Sequence, residues 1–148
     1  MKRVLLVVAA LIVGFCILAL LVPVDPEERR PGTRLSGSVA GAPSDWAELI
    51  EPRTKVYLQT STWYMVPHSV TTVSFALDGD LYIPCARCGT KRWPKNVSRN
   101  PNVVVKVRDS LYERRAVRVK DPLVLQKLFA DRLPEMDDLW LFRMEPRS

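Results

Sequence analysis

The chain has one histidine, three cysteines and six glycines in 148 residues. The lone His68, beside Cys85-Ala86-Arg87-Cys88, leaves no obvious fourth ligand for a zinc site. Gly89 stands where a c-type haem attachment needs histidine, which excludes that chemistry. There is no H-E-x-x-H, no G-x-S-x-G, no P-loop and no carboxylate pair at a motif spacing. Zincins, α/β-hydrolases and P-loop NTPases are therefore excluded. The pattern also lacks βαβ crossovers, internal repeats and low-complexity tracts, so a Rossmann sheet is out. The length allows one domain of ordinary size and excludes a two-domain dehydrogenase, a kinase or a TIM barrel.

Long apolar stretches are confined to one place. Val4 to Val22 contains no charge or strongly polar group, enough for a helix of roughly 28 Å. Lys2 and Arg3 precede it, no A-x-A cleavage pattern follows it, and Phe15 before Cys16 is too bulky for a lipoprotein cut. The expectation is an uncleaved single-pass anchor over residues 1–24, interacting with the membrane through residues 4–22. Positive-inside bias then places the N-terminus in the cytoplasm and the domain outside. Residues 25–42 read as a polar linker and 43–148 as the folded domain. For Cys85 and Cys88 a disulfide, two loop thiols and half of a metal site stay open.

Within the domain the signals are mostly β. Asp45 and Glu48 form a capping-box spacing for a short helix over Pro43–Ile50, and Lys55–Thr60 has strand composition. Val70–Ile83 reads as a hairpin around Asp78-Gly79, with Val73, Phe75 and Leu77 on one face. A polar, helical Thr90–Asn100 follows, then a second hairpin around Arg108-Asp109-Ser110. Asp121-Pro122 opens an amphipathic helix to Arg132, and Leu139–Met144 is a closing strand. The expected fold class is mainly β with minor α: a small antiparallel barrel preceded by one N-terminal transmembrane helix.

Charge is concentrated. Thr90–Lys120 holds ten basic residues against Asp109 and Glu113, a net of +8, while the rest of residues 25–148 nets −4. Such a face suits an anionic partner, and Lys91, Arg92 and Lys95, clustered at a helix start, suit phosphate. No nucleic-acid-binding motif accompanies them, so nucleic acid is not an expected partner.

The run Lys91-Arg92-Trp93-Pro94-Lys95-Asn96-Val97-Ser98-Arg99-Asn100-Pro101 followed by Val103-Val104-Val105 resembles the W-x-x-N-L-x-x-N-P-x-V segment of the split β-barrel flavoproteins. The likeness is strongest to the deazaflavin-dependent nitroreductase branch, with a comparable Lys and Asn-Pro stretch in the pyridoxamine-phosphate-oxidase-like branch. It covers roughly residues 45–146, and Cys85–Gly89 lies outside its pattern. The resemblance implies a split barrel that binds FMN or F420, often at a homodimer interface, for hydride transfer to a small molecule. By position it implies that Lys91, Arg92 and Lys95 contact the cofactor phosphates, with Trp93 and Asn96 of the same motif beside them. His68, Ser69, Thr71 and Thr72 would line the ring side. The other expectation is a cofactor-free barrel serving as a binding or envelope module. In either case no catalytic side chain and no metal ligand is assigned.

Overall fold

The computed structural model describes residues 2–41, 43–129 and 138–147. In chain order the elements are α1 (Lys2–Leu21), β1 (Ser38–Val39), β2 (Thr54–Ser61), β3 (Pro67–Leu77), β4 (Asp80–Cys85), α2 (Arg92–Arg99), β5 (Asn102–Val107), β6 (Ser110–Val119), α3 (Pro122–Phe129) and β7 (Trp140–Pro146). Single 3-10 turns occupy Trp46–Glu48 and Cys88–Thr90. The expected helix through Arg132 is seen to Phe129; its remainder lies outside the described residues.

Strands β6-β5-β2-β3-β4-β7 hydrogen-bond in that order, and β7 returns to β6, closing a six-stranded antiparallel barrel. The Asp-Gly turn forms as the sequence predicts: Asp78 and Gly79 both have positive φ, 51° and 83°. Two consecutive left-handed residues match the twist of a tight hairpin, which favours Asp-Gly there. Alternation then sorts the side chains. Val56, Leu58, Leu81, Ile83, Val103, Val105, Tyr112, Ala116 and Met144 fill the barrel. On its outside, Phe75 and Leu77 meet Leu125, Leu128 and Phe129 of α3, with the Phe75 and Phe129 rings edge-on at 5.2 Å. Asp121 caps α3, its Oδ1 accepting from the Leu123 N–H at 2.9 Å.

One expectation is corrected here. Among the described residues no helix is long and apolar enough to cross a membrane, so the transmembrane anchor over 1–24 is not supported. The single-pass localisation, with a cytoplasmic N-terminus and an external domain, falls with it.

Residues 24–36 lie against the barrel as a strap. Its two arms pair with each other, the Val24 N–H donating to Arg34 O at 3.0 Å and Thr33 N–H to Val24 O at 2.9 Å. Gly32 bridges Ser69 of β3 in both directions, at 2.9 and 3.1 Å. A Cβ at Gly32 would stand 2.1 Å from Val24 O, so the close approach requires glycine. Leu35 is buried, and its N–H donates to Gln59 Oε1 at 2.7 Å. The base of the strap is latched by charge. Lys106, on the outer face of β5, donates to Asp25 Oδ2 at 2.6 Å and to Ser36 Oγ at 2.9 Å. Burial pushes the Asp25 carboxyl up, but hydrogen bonds from Lys106 and Ser36 outweigh it and leave the group below its ordinary 3.8.

Lys106 is only 6% exposed, so losing its carboxylate leaves a buried ammonium without a counter-charge. Asp25→Ala is expected to destabilise the fold by about 1–3 kcal/mol in urea titrations. The Asp25→Asn/Lys106→Met pair should recover part of that loss. A depressed carboxyl stabilises the fold above its unfolded pKa. The latch contribution is therefore complete above 3.8 and is lost as pH falls through the lower folded value.

Candidate functional site

The barrel is closed around its girth, but β3 is hydrogen-bonded unequally on its two edges. It pairs with β2 from Pro67 to Ser74, and with β4 only from Phe75 to Leu77. Strand β3 thus parts from β4, and its first half keeps an edge with no strand beside it except at Ser69, where Gly32 pairs. Beyond Cys85 the chain turns through Arg87, which is left-handed at φ 50°, and enters α2. A groove of about 420 Å³ opens beside the divergent strand. His68, Val70, Thr71 and Thr72 of β3 form one wall, Lys91, Arg92 and Trp93 another, and Glu28–Pro31 of the strap a third.

Six of the nine residues expected to meet a cofactor are therefore brought together: His68, Thr71, Thr72, Lys91, Arg92 and Trp93. The other three are elsewhere. Ser69 is fully buried beneath Gly32, because alternation turns it to the strap side of β3. Lys95 is exposed and does not line the groove. Asn96 points inward, 3% exposed, and donates from Nδ2 to Thr60 Oγ1 at 3.0 Å. Thr60 Oγ in turn donates to the carbonyl of His68 at 3.2 Å. Asn96 thus ties α2 to β2 and to the backbone of His68, which sets the separation of the groove's two walls. The strap residues Glu28–Pro31 were missed from sequence. Their turn composition was visible, but their place beside β3 depends on long-range pairing.

Burial, and then the neighbouring Arg92, hold the His68 imidazole below its ordinary 6.5. Near neutral pH it is biased to the neutral form, with one donor and one acceptor nitrogen. Lys91 and Arg92 are exposed and, among the described residues, have no carboxylate within salt-bridge distance. Trp93 is buried against Phe142, ring centroids 5.0 Å apart, and is held rigidly at the groove's inner end. Thr71 Oγ1 is buried and, among the described residues, has no hydrogen-bond partner.

Cys85 and Cys88 form a disulfide, each 1% exposed and packed in the barrel core with Trp93. Among the described residues no cluster that could hold a metal ion is found. Asp138 braces the same turn, its Oδ2 accepting from Gly89 N–H at 2.6 Å and its carbonyl from Cys88 N–H at 3.2 Å. The disulfide and Asp138 together fix the start of the segment carrying Lys91 and Arg92.

Solved structures share this architecture. A conserved hypothetical protein, Rv2991, from Mycobacterium tuberculosis aligns with a TM-score of 0.55 at 16% identity, covering 74% of this chain and 82% of its own. General Stress Protein 26 from Bacillus anthracis aligns at 0.54 and 23%, covering 68% of this chain and 84% of its own. A structure described as a domain-swapped dimer aligns at 0.51 and 20%, covering 65% and 83%. The fold is that of the split β-barrel proteins. No family model and no curated protein matches the chain. At these identities the likeness of this split barrel to its neighbours establishes fold alone, and its chemistry rests on its own residues.

Asn96→Leu is expected to cost about 1–3 kcal/mol in denaturant titrations, because it leaves the buried Thr60 hydroxyl without its donor. Unchanged stability would remove the bracing role. The Cys85→Ala/Cys88→Ala variant should lose about 2 kcal/mol from opening so short a loop, read by the same titrations against the oxidised chain. For His68 the neutral form is favoured by folding. Its contribution is therefore complete above 6.5 and declines as pH falls through the lower folded value; His68→Gln should flatten that part of the stability profile.

Proposed function

We propose that this split barrel binds a flavin or deazaflavin, FMN or F420, in the groove between β3 and α2 and serves hydride transfer to a small molecule. The observation that carries the reading is the meeting of two cations without a carboxylate partner among the described residues, Lys91 and Arg92, with Thr71, Thr72 and a neutral-biased His68 around one groove. These groups fit such a cofactor: cations for phosphate, hydroxyl and imidazole for the polar edge of a ring, and an indole to bound it. When bound, the cofactor supplies the hydride chemistry, so the chain needs no acid–base pair of its own.

The roles of the chain's residues follow from position. Lys91 and Arg92 neutralise phosphate at the solvent end. Thr71 and Thr72 donate along the free edge of β3. His68 offers a donor and an acceptor without adding charge. Asn96, the disulfide and Asp138 hold these groups rather than touch the ligand. A second copy of the chain belongs to the same reading, supported by the domain-swapped dimer among the structures of like fold.

The test is retention of a chromophore. The full-length chain, incubated with FMN or F420 and desalted, is expected to keep visible absorbance. Lys91→Ala/Arg92→Ala, at two exposed positions, should weaken binding by about tenfold or more. No retention by the wild type would overturn the reading in favour of a cofactor-free barrel. Retention unaffected by the double variant would remove Lys91 and Arg92 from the site.

A further inference from the structure

A second and larger groove, about 960 Å³, lies on the other side of the strap tip. Val56 and Tyr57 of β2 and Thr71 of β3 make its floor, and Lys55, Arg108, Arg29 and Arg30 stand around it. Lys106 also borders it, but Asp25 neutralises that charge. Among the described residues none of Arg29, Arg30, Lys55 and Arg108 has a salt-bridge partner. Glu27 and Glu28 on the tip are the opposing charges, so four uncommitted cations face two carboxylates.

A second observation is independent of that count. Thr33 Oγ1 of the strap and Ser69 Oγ and Thr71 Oγ1 of β3 are all buried without hydrogen-bond partners among the described residues. Of the three, Thr71 alone borders the groove; Ser69, two residues before it on the same face of β3, is sealed beneath Gly32. Desolvated hydroxyls left unpaired cost stability unless something outside the chain completes them.

We propose that this groove is a separate binding site for a small polyanion with clustered anionic oxygens, a phosphate ester or a polycarboxylate. One charge would not suffice. An exposed ion pair contributes about 1 kcal/mol at most, so the ligand must engage several cations at once. Guanidinium groups on the tip and at the β5–β6 turn suit this, since each can bind two oxygens together. Glu28, Arg29, Arg30 and Thr71 border both grooves, so two ligands would lie side by side across a single hairpin tip. Lys55, Tyr57 and Arg108 border this groove alone, so the site does not depend on the first groove holding a cofactor.

Calorimetric titration of the full-length chain with pyrophosphate and, separately, citrate at constant ionic strength tests this. Saturable binding is expected, weakened about tenfold or more in Lys55→Gln/Arg108→Asn. Asparagine tolerates the left-handed backbone of Arg108, φ 55°, so the variant should fold. Lys91→Ala/Arg92→Ala should leave the binding intact. Preference for pyrophosphate identifies a phosphate ester and preference for citrate a polycarboxylate; either supports the site. Absence of saturable binding, or equal binding by Lys55→Gln/Arg108→Asn, overturns it. Displacement of retained FMN or F420 by pyrophosphate would also overturn it, because the two grooves would then be one. Failure of chromophore retention with pyrophosphate binding preserved would sink the cofactor reading alone.

Discussion

Strand β6 takes part in two long antiparallel ladders, besides a short parallel pairing of Ser110 and Leu111 with β1. From Ser110 to Arg115 it pairs with β5, and from Arg114 to Val119 with β7. Ten residues of one strand thereby close the barrel, and the sheet edges that would otherwise expose unpaired amides are consumed. The cost is visible at Arg114, where the two ladders overlap. Its side chain is turned inward at 4% exposure, with the guanidinium 5.1 Å from the Trp46 ring and Nε unpartnered. Burial works against that charge, and the indole face offsets part of it.

Closure at β6 permits divergence elsewhere. Because the barrel is held on that side, β3 can leave β4 after three paired residues without unravelling the sheet. The divergence makes the first groove, and the exposed half of β3 accepts Gly32. The strap then partitions the outer face into two grooves. Both proposed sites lie beside the stretch of β3 where hydrogen bonding between strands is incomplete. Rigid bracing by Asn96, Asp138 and the Cys85–Cys88 disulfide surrounds that gap.

Much of this was legible in advance. Asp78-Gly79 announced its hairpin because two positive φ values exclude most other pairs. The +8 charge of Thr90–Lys120 and the Trp93–Asn96 spacing pointed to the start of α2. Less visible was the direction of single side chains. Ser69 and Thr71 share one face of β3 and His68 the other, yet only the strap decides that Ser69 is sealed and Thr71 left at a groove wall. Asn96 was grouped with its motif neighbours, but the helical turn rotates it into the barrel while Lys91 and Arg92 stay outside. The apolar run at the N-terminus looked long enough to span a bilayer, but among the described residues no helix is long and apolar enough to cross one.

The scarce residues of the chain mark the boundary between the two kinds of knowledge. One histidine, three cysteines and six glycines excluded zinc hydrolysis, haem attachment and nucleotide loops, because those chemistries require particular atoms at particular spacings. Local turn chemistry and alternation then determined the hairpins and the mainly β class. Tertiary structure alone decided that Lys106 is spent on Asp25 while Lys55 and Arg108 have no salt-bridge partner among the described residues. It also decided that Gly32 lies against Ser69. Both outcomes depend on residues dozens of positions apart, and sequence periodicity carries no information at that range.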